Sequence, residues 1–144
     1  MKLYLDSSVL VAAFAPEKFS QRAMDLLGNA SEVVVSELTV TEARVSLARK
    51  RKRKRKAMTA EEVAEALAEI AEAIQDGTLG VEPLPVEIFR AAEALADRVA
   101  VPVRAMDALH VAMAAQLGAE MATFYADQAT AAKAEGITVH TDKR

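Results

Sequence analysis

Four short apolar runs, Leu3-Tyr4-Leu5, Val33-Val34-Val35, Met121 to Phe124 and Ile137 to His140, are separated by stretches whose apolar residues recur at helical spacing. Each run suits a buried strand, and each interval is long enough for a crossover, so the strands are expected to lie parallel. A parallel sheet must be covered on both faces. The expectation is an α/β fold with three layers, α/β/α, around a mainly parallel central sheet. At 144 residues and 15.4 kDa, residues 1–144 fit a single domain that can bury a core without disulfides or metals as staples.

The intervals carry their own start and stop signals. Val9 to Phe14 reads as a helix ended by Pro16, and Ser20 to Leu27 as a second ended by Gly28-Asn29. Ser36 closes the second strand and caps a helix whose apolar face is expected at Leu38, Thr41/Glu42, Val45 and Ala48. Thr59-Ala60-Glu61-Glu62 has the form of a capping box ahead of Val63, Leu67, Ile70 and Ile74. Gly80 to Leu84 is a connection or edge strand, because Pro83 cannot serve a central ladder. Pro85 opens a helix with Ile88, Phe89, Ala92 and Leu95. Another spans Arg104 to Leu117, with Met106, Leu109, His110, Met113 and Leu117 as its core stripe and Gly118 as its stop. Asp127 to Glu135 is a last short helix.

Charge is distributed very unevenly. Arg49, Lys50, Arg51, Lys52, Arg53, Lys54, Arg55 and Lys56 are consecutive, and setting these eight cations aside turns the formal charge of −3 into −11. Like charges repel at i,i+4, so this block is expected to fray into an exposed basic tip, near 49–56, of a helical hairpin. Such a spike suits a polyanion, with affinity that falls as salt rises. No aromatic residue interrupts it, so base stacking at the block itself is not expected.

The chain has no cysteine. Disulfides and zinc-thiolate sites are therefore excluded, metal ligands must be carboxylates, and a reducing cytoplasm fits. No stretch approaches the roughly 20 apolar residues of a membrane span, and no signal-peptide pattern opens the chain.

Three acids occur in apolar surroundings where a merely solvated acid is not expected. Asp6 ends the first strand, Glu42 lies early in the helix after the second, and Asp107 lies in the first turn of the helix from Arg104. Each has an ordinary explanation: Asp6 as a helix cap, Glu42 as a first-turn acid, Asp107 as compensation of the helix dipole. Their joint occurrence favours a site. Facing one crevice they would repel, and a hard divalent cation, Mg²⁺ or Mn²⁺, is the usual remedy for oxygen-only ligands. Such a site hydrolyses phosphodiesters with water and needs no Cys or His nucleophile. His110, on the apolar stripe, reads as a hydrogen-bonded core residue rather than a base. Arg104, three residues before Asp107, can meet a phosphate or balance the acids.

In order and spacing, Leu3-Tyr4-Leu5-Asp6-Ser7-Ser8, Ser36-Glu37-Leu38-Thr39-Val40-Thr41-Glu42, Met106-Asp107-Ala108-Leu109-His110-Val111-Ala112 and Ala122-Thr123-Phe124 resemble the PIN domain, specifically VapC-type ribonuclease toxins of bacterial toxin–antitoxin pairs. The resemblance covers essentially the whole chain. It implies a Mg²⁺- or Mn²⁺-dependent endoribonuclease with Asp6, Glu42 and Asp107 as metal ligands and Ser8 orienting the first acid. It also implies an RNA substrate, a cognate antitoxin and a homodimer, whose seam is expected along Val9–Phe14 and Ser20–Leu27. The chain departs from the family where a fourth acid usually follows the Thr123-Phe124 strand, since Tyr125 stands there and Asp127 comes two residues later. Either Asp127 substitutes through water, or three acids suffice, or the chain is a weak or inactive PIN-like module that binds RNA or a partner. A phosphoryl-accepting phosphatase or receiver domain fits poorly, because Asp6-Ser7-Ser8 lacks the second acid two residues on.

Overall fold

A computed structural model describes residues 1–143. Among them are five strands, β1 (Lys2–Leu5), β2 (Glu32–Ser36), β3 (Gly80–Glu82), β4 (Glu120–Ala122) and β5 (Val139–His140). Seven helices join and cover them: α1 (Ser7–Phe14), α2 (Ser20–Asn29), α3 (Glu37–Arg51), α4 (Ala60–Gln75), α5 (Glu87–Arg98), α6 (Ala105–Leu117) and α7 (Ala126–Ala134). The strands form one sheet in the order β3-β2-β1-β4-β5, every pairing parallel. Pro83 lies just beyond β3, which is the edge strand.

The alternation of β1 divides the core in two. Leu3 and Leu5 point to one face, where they pack with Val9, Leu10, Leu47 and Ile70 from α1, α3 and α4. Tyr4 points to the other, among Ile88, Leu95, Val111 and Met113 from α5 and α6, with Ala131 of α7. A strand buried on both sides needs apolar residues at every position, as the Leu-Tyr-Leu run supplies. Capping boxes at Ser36/Thr39 and Thr59/Glu62 start α3 and α4, and Gly118, at φ 62°, ends α6 in the left-handed conformation that glycine adopts without strain.

Helix phase differs from the expectation in two places. On α3 the buried residues are Thr39, Ala43, Leu47 and Lys50, while Val45 is exposed. On α6 the small residues Ala108, Ala112 and Ala114 are buried beside His110, Val111 and Met113, whereas Met106 is exposed. Alanines on several sides let α6 approach its neighbours closely, so size rather than hydropathy decided its inner face. Phe89, expected in the core, is exposed on α5. Val9, Leu10, Val11 and Ala12 are buried in the chain's own core, while Ala13 and Phe14 are half-buried and Met24 on α2 is exposed.

The basic block begins inside a helix. Arg49, Lys50 and Arg51 form the last turn of α3, where cations favour the helix dipole and offset their mutual repulsion. Seven of the eight side chains are exposed, but Lys50 is only 8% exposed and its ammonium lies 2.5 Å from the Glu17 carboxylate. Lys50 is therefore a structural ion pair, not part of a free cationic tip. The turn beyond is closed by the Met58 N–H, which donates to the Lys50 carbonyl at 3.1 Å. Lys50→Ala is expected to destabilise the domain by about 1–3 kcal/mol, because Glu17 keeps a partly buried charge without its partner. Lys54→Ala, on the exposed turn, is expected to change stability by less than about 0.5 kcal/mol. Urea denaturation of both variants measures the contrast.

Candidate active site

From β1 the chain builds outward through β2 to β3, then returns past β1 to add β4 and β5. Where the order reverses, between β1 and β4, the loops leaving the strands part and open a crevice at their carboxyl ends. Asp6 leaves β1 there, and Thr123 to Tyr125 leave β4. Asp6 is fully buried and caps α1, accepting the Val9 N–H at 3.1 Å. Cap and site are thus one role. The Ser8 hydroxyl donates to Oδ1 at 2.6 Å, while the Thr123 hydroxyl (2.6 Å) and the Gln128 amide (2.7 Å) donate to Oδ2. A carboxylate offers about four lone-pair positions, and these donors occupy them all. Burial holds the Asp6 carboxyl above the usual carboxylate range, against the opposing pull of His110, Ser8, Thr123 and the Val9 N–H.

A second chain of polar groups crosses the sheet face behind Asp6. The Thr39 hydroxyl donates to the Leu5 carbonyl at 3.1 Å, and the Ser36 hydroxyl lies 2.8 Å from the Tyr4 oxygen. Tyr4 meets His110 Nδ1 at 2.7 Å, and His110 Nε2 contacts the Glu42 carboxylate. Glu42 can only accept, so Nε2 carries the proton; in the neutral ring Nδ1 then accepts from Tyr4, whose oxygen accepts from Ser36. With the ring neutral, the donors from Ser36 through Tyr4 and His110 point toward Glu42, while Thr39 donates to the Leu5 carbonyl. Burial pushes the Tyr4 phenol up to about 12, so it keeps its proton. Glu42 stands on the second turn of α3, and the side chain that fixes it comes from α6.

Asp107 is partly exposed in the first turn of α6. Tyr125 connects the three acids: burial raises its phenol, and the charges of Asp6, Glu42 and Asp107 raise it further against a hydrogen bond with Ser7. One phenol thus feels all three carboxylates, of which Asp6 is fully buried while Glu42 and Asp107 are partly exposed. No lysine or arginine forms an ion pair with any of them among the described residues. Three carboxylates in one neighbourhood suit a divalent cation in kind, but Glu42 is bonded to His110 and the lone pairs of Asp6 are taken by four donors. They are not gathered tightly: among the described residues no three His, Asp or Glu side chains close around a single ion position. Ligation by all three therefore requires side-chain adjustment, with water completing the shell.

Other expected residues lie elsewhere. Asp127 is exposed, and the α7 side chain that reaches Asp6 is its neighbour Gln128. Of this pair Gln128 is the buried one, and Asp127, one residue before it, faces solvent. Sequence reading passed over Gln128 because it is not titratable; its only signal was a polar residue between the alanines of a small helix. Arg104 is exposed on the wall of a hollow between α5 and α6 with Phe89 and Leu109. Of the basic block, Arg49, Lys50 and Arg53 line a cleft of about 450 Å³ that Ser7, Ser8 and Tyr125 also line.

A family model for the PIN domain matches residues 3–134. No curated protein matches the sequence. Among solved structures, VapBC2 from Rickettsia felis bound to a DNA fragment from its promoter is similar at TM-score 0.68 and 14% identity, over 98% of both chains. VapC20 from Mycobacterium tuberculosis, a sarcin–ricin loop cleaving toxin, is similar at TM-score 0.71 and 17% identity, over 94% of this chain and 96% of that one. FitAcB from Neisseria gonorrhoeae is similar at 0.66 and 18%, over 97% of each. At such identities the likeness is one of fold. The family match extends over nearly the whole chain and includes the strand that delivers Asp6 to the sheet's reversal point, and on that match the chain belongs to the PIN domain family.

Proposed function

We propose that this chain is a Mg²⁺- or Mn²⁺-dependent endoribonuclease of the VapC type, the toxin of a toxin–antitoxin pair. PIN domains are generally nucleases that use divalent metals, and similar folds occur in a sarcin–ricin loop cleaving toxin and in a toxin–antitoxin complex from Klebsiella pneumoniae. The observation that supports the reading is that Asp6 ends β1 at the sheet's reversal point, in a neighbourhood where the charges of Asp6, Glu42 and Asp107 all act on the Tyr125 phenol. These three would hold the ion. A bound divalent cation makes water a competent nucleophile at neutral pH and stabilises charge developing on the phosphate. Ser8 and Thr123 fix the Asp6 rotamer, and His110 fixes Glu42. Arg49 and Arg53 face the adjoining cleft and would draw in the RNA backbone.

The proposed partners are an RNA substrate, a cognate antitoxin and a second copy of the chain, in the cytoplasm. No helix among the described residues is long and apolar enough to cross a membrane. The homodimer rests on family resemblance, and native mass spectrometry showing only monomer at micromolar concentration would remove it. Total RNA incubated with the protein and Mg²⁺ is expected to acquire discrete new 5′ ends that EDTA abolishes. Identical 5′ ends with and without EDTA would overturn metal-dependent cleavage.

A second reading is favoured by the saturated Asp6 carboxylate and by Tyr125 among the acids: a PIN-like module that binds RNA or a partner without cutting. Calorimetric titration with Mn²⁺ separates the two. The nuclease predicts binding that Asp6→Asn removes, and the inert module predicts none in either protein.

A further inference from the structure

The cleft beside the acids is lined by basic and by aromatic side chains. On α3, Glu42, Ser46 and Arg49 stand at i, i+4 and i+7, so one helix face leads from an acid of the site to the first cation of the basic block. Ser46, Arg49 and Arg53 line the cleft. Aromatic rings line the same cleft, together with Glu17 and Lys18. Phe19 and Phe124 pack with ring centroids 5.5 Å apart, the Lys18 ammonium lies 5.3 Å from the centre of the Phe19 ring, and Tyr125 is beside them with 52% of its surface exposed. Ser8 lines the same cleft while its hydroxyl donates to Asp6, so the cleft begins one side chain from the buried carboxylate.

We propose that this cleft is a subsite for single-stranded RNA, in which the nucleotide next to the scissile phosphate stacks its base on the Tyr125 ring and rests its phosphate on Arg49 and Arg53. This rests on the nuclease reading for the position of the scissile phosphate. Exposed aromatic and guanidinium groups in one cleft are the combination that holds single strands, since every base has a π face and every nucleotide a charge. A volume of about 450 Å³ lies within the range of small-ligand sites and accommodates one nucleotide. An acid at position 125 would repel a phosphate there; the phenol instead offers a surface. Tyr125 is thus a positioning residue for substrate, and the basic block acts through Arg49 and Arg53 rather than as a uniform tether.

The test is equilibrium binding, in EDTA so that metal-dependent cleavage is silent, of an RNA octamer carrying one 2-aminopurine, whose fluorescence falls on stacking. Tyr125→Ala is expected to weaken binding about 5-fold to 150-fold and to remove the quench. Tyr125→Phe, which keeps the ring, is expected to retain both. Arg53→Ala is expected to weaken all sequences alike and to lower the salt slope by about one. Circular dichroism melts establish that each variant folds, and Tyr125 and Arg53 are exposed enough for that to be expected. Equal losses in Tyr125→Phe and Tyr125→Ala would assign the effect to the hydroxyl and overturn stacking. Unchanged octamer binding in both Tyr125→Ala and Arg53→Ala would assign the cleft to something other than RNA. Binding without cleavage in Mn²⁺ would retain the subsite and reject the nuclease, whereas cleavage with unaltered binding in the variants would do the reverse.

Discussion

Asp6→Asn is expected to lower RNA cleavage by at least the tenfold to hundredfold that losing a group behind a metal ligand costs, while the domain stays folded. Asn keeps one carbonyl oxygen for Ser8 and the Val9 N–H, and its amide can face the Gln128 carbonyl oxygen, which is buried without a partner, once the Gln128 amide turns over. Stability without metal should then depend less on pH. Burial raises the carboxyl of Asp6 in the folded state, so the native protein binds more protons than the unfolded chain above the ordinary aspartate value of about 3.9. Its stability therefore falls as pH rises from that value through the folded-state one, and Asp6→Asn removes this contribution. Urea midpoints across pH in EDTA, paired with gel-based cleavage in Mn²⁺, give both readouts. Retained cleavage, or an unaltered pH slope, would reject the role assigned to this carboxylate.

His110→Ala is expected to destabilise the protein by about 2–5 kcal/mol, because it leaves a buried phenol and a partly buried carboxylate without their partner and opens a cavity. For a domain of this size that is a fall in melting temperature on the order of 5–20 °C. Two conservative variants separate stability from positioning. His110→Asn places an amide near Nδ1 and can answer Tyr4, while His110→Gln reaches toward Nε2 and can donate to Glu42. Both are expected to recover part of the stability, and only the Gln variant part of the activity. Equal recovery of activity by the two would make His110 structural only. Because Tyr4, Ser36 and Thr39 belong to the same chain of bonds, Tyr4→Phe combined with His110→Ala should cost less than the sum of the two single changes.

Much of the fold was legible because its signals are local. A Leu-Tyr-Leu run that stops at Asp6 marks a buried strand and its end, the sets Ser36/Thr39 and Thr59/Glu62 start helices wherever they occur, and Gly118 stops one. Helix phase was less legible. On α3 the apolar and long-chain residues are distributed around the axis, so Val45 competed with Leu47 for the inner face, and only the neighbouring sheet selected Thr39, Ala43, Leu47 and Lys50. Periodicity reports a direction only when one side is plainly more apolar. Lys50 shows the same limit: within a run of eight cations nothing local marks the one whose partner, Glu17, comes from the loop between α1 and α2.

The order of residues by itself determined a three-layer α/β/α architecture and singled out Asp6, Glu42 and Asp107, since strand ends and helix starts are short-range properties and a charge in apolar sequence is conspicuous without coordinates. Only the tertiary structure decided who stands beside those acids: Gln128 rather than Asp127 on Asp6, His110 on Glu42, and an adjoining cleft that Phe19, Phe124 and Tyr125 share with Arg49 and Arg53. Hydrogen bonds and ring contacts join groups distant along the chain, and the direction of each side chain depends on how its helix is turned against the sheet. That rotation is set by packing of the whole core, which no short stretch of sequence records.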